Sequence, residues 1–348
     1  MSPTATSDVL SVLIVGCGDM AGGYDEARDG AEILTHAGAY ARHPGFAVAA
    51  CVDPDEARRR EFMERWRIAA GFSDLAACRA GGIAFDVASV CTPVAAHEET
   101  LEGLLDMPVG AVFCEKPLTG DVAASRRMVE AFEAAGRPLA VNYFRRWDTS
   151  MSALRRSIAE GAWGAVQSVT GHYTKGILNC GSHMIDLLQF LIGPLAAEAV
   201  FRRRHDFTPE DPTLDALLAT ADGVPVYLIG GDSRLFFTFE IDLMMERGRV
   251  VIEDLGMVLR RRQVVVSPLY TGYEGLDRGE WVETGFGQAM VGAVDNLHAH
   301  VNGKADLPSD GRSALAVEEV CATLMEMAQA VAPPTPAKVR VVPPIMKG

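Results

Sequence analysis

Up to residue 141, short apolar runs alternate with stretches whose apolar residues recur every three to four positions. The runs 12–15, 46–52, 87–90, 111–114 and 139–141 are rich in valine or flanked by apolar residues, as strands covered on both faces are. Segments 55–68, 97–105 and 121–135 carry the helical period, the last opened by the capping residues of Leu118-Thr-Gly-Asp. This alternation predicts βαβ units and a doubly wound parallel sheet. After Tyr143 the pattern changes. A helix over 151–159 leads to a strand over 166–173 and a strongly apolar helix over 182–192. From 199 to 266 strand-like runs follow one another, joined by turns such as Ala221-Asp-Gly and Glu246-Arg-Gly, which predicts an antiparallel sheet. Helical stretches at 288–301 and 312–332 precede a proline-rich tail. The expected organisation is an α/β domain over 1–141 and an α+β domain with a large, mostly antiparallel open sheet over 142–348. A chain of 348 residues suits two domains of roughly 150 residues each.

Composition narrows the class. Hydrophobic residues make up 49% and charged residues 22%, which is globular and excludes disordered or fibrous chains. Asp plus Glu number 46 against 32 Lys plus Arg, a net charge of -14 that repels phosphate backbones and anionic lipid, so neither nucleic acid nor membrane is an expected partner. No stretch approaches the ~20 apolar residues of a membrane span. Met1 to Asp8 is polar without the basic start of a signal peptide. Cysteines 17, 51, 78, 91, 114, 180 and 321 are dispersed without a Cys-x-x-Cys pair, as in reduced thiols, so a cytoplasmic protein is expected.

The first strand runs into Gly16-Cys-Gly18-Asp19-Met20-Ala21, the pattern G-x-G-x-x-A. The first glycine permits a tight turn, the second lets backbone approach a pyrophosphate, and the small third residue allows close packing, as in a Rossmann dinucleotide site. An acidic residue for the ribose belongs at the end of the second strand. Asp53 is there, but 37 positions after Gly16, because a Gly-rich, acidic segment over 22–35 is inserted where the first helix would begin. A carboxylate at this place favours NAD over NADP; Asp53 can alternatively be the N-cap of the helix over 55–68.

Val112-Phe-Cys-Glu115-Lys116-Pro117-Leu118 resembles the Gfo/Idh/MocA oxidoreductases, whose hallmark is Glu-Lys-Pro after the fourth or fifth strand. Val90-Cys-Thr92-Pro93 followed by His97 is similar to the family's turn over the cofactor. Val141-Asn142-Tyr143-Phe-Arg145-Arg146-Trp147 is similar to its domain junction. Gly181-Ser-His183-Met-Ile-Asp186 resembles its active-site helix, and the late helix around Asp295-Asn296-Leu297 also agrees. The resemblance implies an NAD(P)-dependent enzyme acting on a sugar, a cyclitol or a nucleotide sugar. Its second domain often forms the oligomer interface through the open sheet, here implying a dimer or tetramer. It implies a cofactor site of Gly16, Gly18, Asp19, Met20, Ala21, Asp53, Thr92, Pro93, His97, Glu115 and Lys116. Catalysis would lie between the domains, with Lys116, Asn142, Arg146, Asn179 and His183 toward the substrate.

Oxidising a secondary alcohol requires a group that removes the hydroxyl proton as hydride leaves carbon. Lys116 follows an apolar strand, where burial disfavours its charged form and suits it to relay a proton. Glu115 can pair with it or with protein on its other side. His183 opens an apolar helix with Asp186 three residues on, on the same face, where a carboxylate can orient the imidazole. His183 is the expected base, with Lys116 holding the substrate oxygen and sharing the proton transfer. Many family members carry Asp four residues before this His; this chain has Asn179, which positions by hydrogen bonds and cannot take a proton near neutrality. Two rival readings are a hydrolase or epimerase that uses NAD transiently and a regulator that senses dinucleotide or sugar. His298 and His300 lie on different sides of a helix and no zinc spacing occurs, so no metal is expected. The basic runs 202–204 and 260–262 read as solvated sheet edges.

Overall fold

The computed structural model describes residues 9–27 and 32–331; the polar start, part of the 22–35 insertion and the proline-rich tail lie outside the described residues. Six apolar runs form a parallel sheet: β1 (Leu10–Val15), β2 (Phe46–Val52), β3 (Ala70–Phe72), β4 (Phe85–Val90), β5 (Val109–Cys114) and β6 (Leu139–Val141). Their order is β3-β2-β1-β4-β5-β6, the doubly wound arrangement expected. It reverses direction between β1 and β4, so a crevice opens at the carboxyl ends of those two strands. Gly16 and Cys91 stand at these ends: Gly16 N donates to Val52 O and Cys91 N to Val15 O, both at 2.7 Å.

The connecting helices are α1 (His36–Arg42), α2 (Glu56–Trp66), α3 (Leu75–Ala80), α4 (His97–Leu105) and α5 (Val122–Ala134). Asp55 caps α2, its Oδ1 accepting from Ala57 N and Arg58 N, which removes the reading of Asp53 as the cap. Asp121 caps α5 by accepting from Ala124 N at 2.8 Å. The sequence pattern did not disclose α1, β3 and α3. They are three to seven residues long, too short for a period to show, and α1 is masked by the preceding Gly-rich insertion.

The second half contains α6 (Thr149–Ala159), β7 (Val166–Tyr173), α7 (Ser182–Ile192), β8 (Leu195–Arg204), β9 (Thr213–Thr220), β10 (Pro225–Gly230), β11 (Phe239–Met245), β12 (Gly248–Glu253), β13 (Val258–Val266), β14 (Glu274–Leu276) and β15 (Glu280–Glu283). These strands form a nine-stranded sheet ordered β14-β13-β12-β11-β7-β10-β9-β8, with β15 also on β13. Pairings are antiparallel except β7 with β10. One face alternates buried residues, such as Leu214, Ala216 and Leu218 of β9, and packs on α7 and on α9 (Gly311–Gln329). The other face is open and mixes charged residues such as Glu240, Asp242 and Arg249 with exposed apolar ones such as Tyr227, Ile229 and Met244. The run Arg202–Arg204 does lie on the edge strand β8, where Arg202 Nε pairs with Asp215 at 2.7 Å. The run 260–262 does not: β13 is flanked on both sides, and Arg260 lies over Trp281 at 4.2 Å.

The chain then returns. Val294 and Leu297 of α8 (Ala289–Val301) share a core with Val12, Ile14 and Phe113, so α8 covers a face of the first sheet. Among the described residues no helix is long and apolar enough to cross a membrane.

Candidate active site

The glycine turn is built by close approach. Gly16 has φ +89°, and a Cβ there would sit 2.7 Å from the carbonyl carbon and oxygen of Cys91. The position therefore excludes a side chain for two independent reasons, backbone sign and contact. A Cβ on Gly18 would meet nothing within 4 Å, so the chain is exposed to open space there. Asp19–Gly23 winds as one wide turn with Ala21 buried, Asp19 exposed and Met20 partly covered. Asp53 ends β2 beside this turn, its Oδ2 accepting from Cys17 N at 2.9 Å and its Oδ1 from Asp55 N at 2.9 Å. Arg58 Nη1 lies 3.5 Å from the same Oδ1. The described part of the insertion is folded back by Asp25, whose carboxylate accepts from Leu34 N, Thr35 N and the Thr35 hydroxyl. Ile33 N then donates to Gly287 O at 3.1 Å, reaching the turn before α8.

A cavity of about 350 Å³ opens between this turn and the start of α7, lined by Met20, Thr92, Lys116, Asn142, Phe144 and His183 among others. Hollows of about 460 and 770 Å³ elsewhere do not reach the switch point of the first sheet. Thr92 Oγ1 and Asn142 Oδ1 are buried without a hydrogen-bond partner among the described residues. Orphaned polar atoms in a buried wall call for a bound polar group. Together with the open backbone at Gly18, they fit a nicotinamide dinucleotide lying from Asp53 to Lys116.

Lys116 Nζ donates to Asn179 Oδ1 at 3.0 Å, across the gap between the two halves. Burial pulls the Lys116 ammonium below its usual range, against the opposing pull of Glu115, Cys180 and Asp211. His183 lies edge-on to Tyr143 and Phe144, with ring centroids 5.6 and 5.8 Å away. Burial first, then the Lys116 and Arg145 cations, push its imidazole well below the usual range, so it is neutral at neutral pH. Asn179 is held by Asp211, whose carboxylate accepts from Leu178 N at 2.7 Å and Asn179 N at 3.0 Å. The arrangement offers a neutral imidazole and a partly buried amine in the lining of one cavity.

Several expected partners are engaged elsewhere. Arg146 does not face the substrate side: Nε and Nη2 hold Asp186 Oδ1 at 2.9 and 2.8 Å, and Nη1 donates to Pro308 O. Asp186 consequently braces Arg146 and not His183; a fully buried carboxylate requires the nearest cation. His97 is buried, its Nδ1 at 2.9 Å from Pro117 O and its Nε2 at 2.9 Å from Thr92 O, so it ties the Thr92 turn to the Lys116 turn. Pro93 is exposed at the rim. Glu115 faces inward, accepting from His36 Nε2 at 2.9 Å and Asn142 Nδ2 at 2.6 Å. Sequence reasoning missed Arg145, His36 and Asp211. Arg145 sits 4.0 Å over Phe239 and 4.8 Å over Phe144, its Nη2 donating to Leu255 O, and burial lowers its guanidinium to about 10. The basic pair in the Phe144–Trp147 turn signals that one arginine matters, but not which.

A glycine turn at the switch point of a parallel sheet, facing a partly buried lysine and a neutral histidine, defines a dinucleotide-dependent oxidoreductase. Residues 10–143 match the family model described as an oxidoreductase family with an NAD-binding Rossmann fold, over the part of the chain that carries the Gfo/Idh/MocA resemblance of the glycine turn and Glu115-Lys116-Pro117. Over 273 residues it is 29% identical to the inositol 2-dehydrogenase of Cereibacter sphaeroides, spanning 72% of this chain and 78% of the relative. The fold is shared with the WlbA dehydrogenase from Bordetella pertussis, solved with NADH and UDP-GlcNAcA (TM-score 0.73, 19% identity, 94% of this chain and 99% of that one). It is likewise shared with KijD10, a 3-ketoreductase from Actinomadura kijaniata, solved as a mutant in complex with TDP-benzene and NADP (TM-score 0.72, 17% identity, 92% and 98%).

Proposed function

We propose that this enzyme moves a hydride between NAD and a secondary alcohol or ketone carbon of a sugar, a cyclitol or a nucleotide sugar, with Lys116, His183 and Asn179 handling the reacting oxygen. The supporting observation is the cavity in which the Lys116–Asn179 hydrogen bond faces a neutral His183 next to the glycine turn. A bound nicotinamide supplies the hydride acceptor or donor. Gly16, Gly18 and Met20 would hold the dinucleotide backbone, Asp53 a ribose, and Thr92 and Asn142 the ring end. In oxidation Lys116 and Asn179 hold the hydroxyl oxygen, and His183 takes its proton; in reduction the same groups return it. Asn142 acts at the cofactor end, and Arg145 in place of Arg146 supplies positive charge behind His183.

The cofactor is read as NAD because the Asp53 carboxylate beside the turn opposes a 2′-phosphate. The domain division is read at Val141–Asn142, with α8 returned as a cover for the first sheet. The open face of the second sheet is read as the contact of a homodimer or tetramer, and the seven free thiols support a cytoplasmic setting.

The test is a panel of sugars, cyclitols and nucleotide sugars incubated with the protein and NAD, followed by NADH absorbance, with Lys116→Ala as control. Reduction of NAD by one substrate class, abolished in the variant, is the expected result. Tight cofactor binding without net NADH would favour the transient-hydride reading instead.

A further inference from the structure

Behind Lys116 lies a chain of buried polar groups of which the hydride-transfer reading uses only Asn142. His36, the first residue of α1, is fully buried. Its Nε2 is 2.9 Å from Glu115 Oε1, its Nδ1 is 3.1 Å from Ser89 Oγ, and Tyr40 Oη is 2.9 Å from the same Ser89 oxygen. Asn142 Nδ2 donates to the same Glu115 oxygen at 2.6 Å. Burial alone would raise the Glu115 carboxyl, but the bonds from His36 and Asn142 and the charge of Lys116 outweigh it, so the net direction is downward. A buried anion therefore sits one residue from the amine that handles the substrate oxygen, and yet Lys116 Nζ is bonded to Asn179.

We propose that His36 is a positioning residue for Lys116. Its Nε2 hydrogen bond holds the Glu115 carboxylate on the inner side of β5, out of an ion pair with the neighbouring ammonium. Lys116 Nζ is thereby left to Asn179 and the substrate. The anchor is built from outside the site as well. Thr35 Oγ1 accepts from Gly38 N at 3.2 Å to cap α1, while Asp25 holds Thr35. The insertion that separates the glycine turn from α1 is thus fastened at the residue before His36. The importance of Lys116 to turnover rests on the proposed function; the effect of His36 on Lys116 does not.

Lys116 is faced by Glu115, Cys180 and Asp211, which favour its charged form, and by Arg145, which opposes it; its own charge reaches His183. Glu115 is faced by His36, Asn142 and Lys116, and by the thiols of Cys91 and Cys114. Replacing His36 alone changes one member of this set. Its Glu115 contact is the one that a released carboxylate would exchange for Lys116, and an opposite charge brought to hydrogen-bond distance raises an amine by about one unit or more.

The test reads the free protein. The rate of Lys116 acylation by acetic anhydride, followed against pH by peptide mass spectrometry, gives its apparent pKa without substrate or cofactor. In His36→Leu that value is expected to rise by about one unit. In His36→Gln, whose amide can still donate to Glu115 and accept from Ser89, it is expected to stay within a few tenths of the parent. The alkaline limb of the kcat profile, where the Lys116 ammonium that holds the substrate oxygen is lost, should move up with the labelling pKa, and KM should change less. An unchanged labelling pKa in folded His36→Leu overturns the proposal. So does a shift in His36→Gln as large as in His36→Leu, because the imidazole's charge would then be acting and not its hydrogen bond. If His36→Leu does not fold, Ser89→Ala, which frees the other side of the ring, takes its place: an upward shift supports the proposal and an unchanged value overturns it. A shifted Lys116 in a protein whose turnover survives Lys116→Ala would leave the His36 assignment standing and sink the catalytic one.

Discussion

Lys116 Nζ donates a 3.0 Å hydrogen bond to Asn179 Oδ1, a contact that joins the end of β5 to the turn before α7 and spans the two halves of the molecule. An amide accepts that bond without charge, so Lys116 keeps the lowered basicity that burial gives it. Asn179→Asp places a carboxylate at the same distance and converts the contact into an ion pair. The expected result is a Lys116 pKa raised by about one to three units, with KM little changed. The check is the pH dependence of kcat and of Lys116 acylation; a profile superimposable on the parent's would remove Asn179 from the reacting centre.

His183 is held neutral by burial and by the cations Lys116 and Arg145. Its folded pKa is depressed, so the imidazole stays able to accept a proton from neutral pH down to below about 6.5, and oxidation should fall only under that value. His183→Ala should lower kcat by about 10²–10⁴-fold, the usual weight of a positioned base, and should abolish that acid limb. Steady-state rates across the acid and neutral range with one substrate read both effects. Loss confined to KM would mean that His183 binds and does not transfer the proton.

Five of the six strands of the first sheet were legible because each is a short apolar run, whereas β3 has only three residues; the Lys116 and His183 turns were legible because their local sequences are distinctive. The directions of side chains were not. Arg145 and Arg146 are adjacent in one tight turn, roughly 120° apart about its axis, and nothing local says which enters the core of salt bridges and which lies among Phe144, Phe239 and Phe286. His36 was illegible for a different reason. Its partner Glu115 lies 79 positions away, and the contact exists only because β1, β4 and β5 are neighbours in the sheet. Asp186 shows the limit of spacing arguments. It is three residues from His183 as a helix requires, but burial assigns it to the stronger partner.

Asp53 accepts from Cys17 N next to the glycine turn, while Arg58 stands 3.5 Å from its other oxygen. The carboxylate opposes a 2′-phosphate, and the exposed guanidinium softens that opposition. NADH should therefore bind more tightly than NADPH, and Asp53→Ser should reduce the preference by about tenfold or more through loss of ribose contacts and of repulsion. Arg58→Ala should move the ratio the other way. Fluorescence titration of the reduced cofactors reads both ratios. Tighter NADPH binding by the parent protein would sink the ribose assignment.

The Arg146–Asp186 pair is buried on both sides and belongs to stability. Burial raises the Asp186 carboxyl to about 6 even though Arg146 opposes the shift. Removing the cation in Arg146→Met leaves the carboxylate alone in the interior, which should lower stability by about 3–5 kcal/mol near neutrality. The sign with pH follows from the raised value. An acid whose folded pKa exceeds its unfolded value of about 3.9 binds more protons folded than unfolded, so its contribution is favourable at low pH and lost as pH rises through the folded pKa. In Arg146→Met that pKa climbs further, so the deficit against the parent should be smaller at about pH 5 than at about pH 8. Urea unfolding of both proteins at the two pH values measures it, and an equal deficit at both would show that Asp186 is not ionised within the folded core.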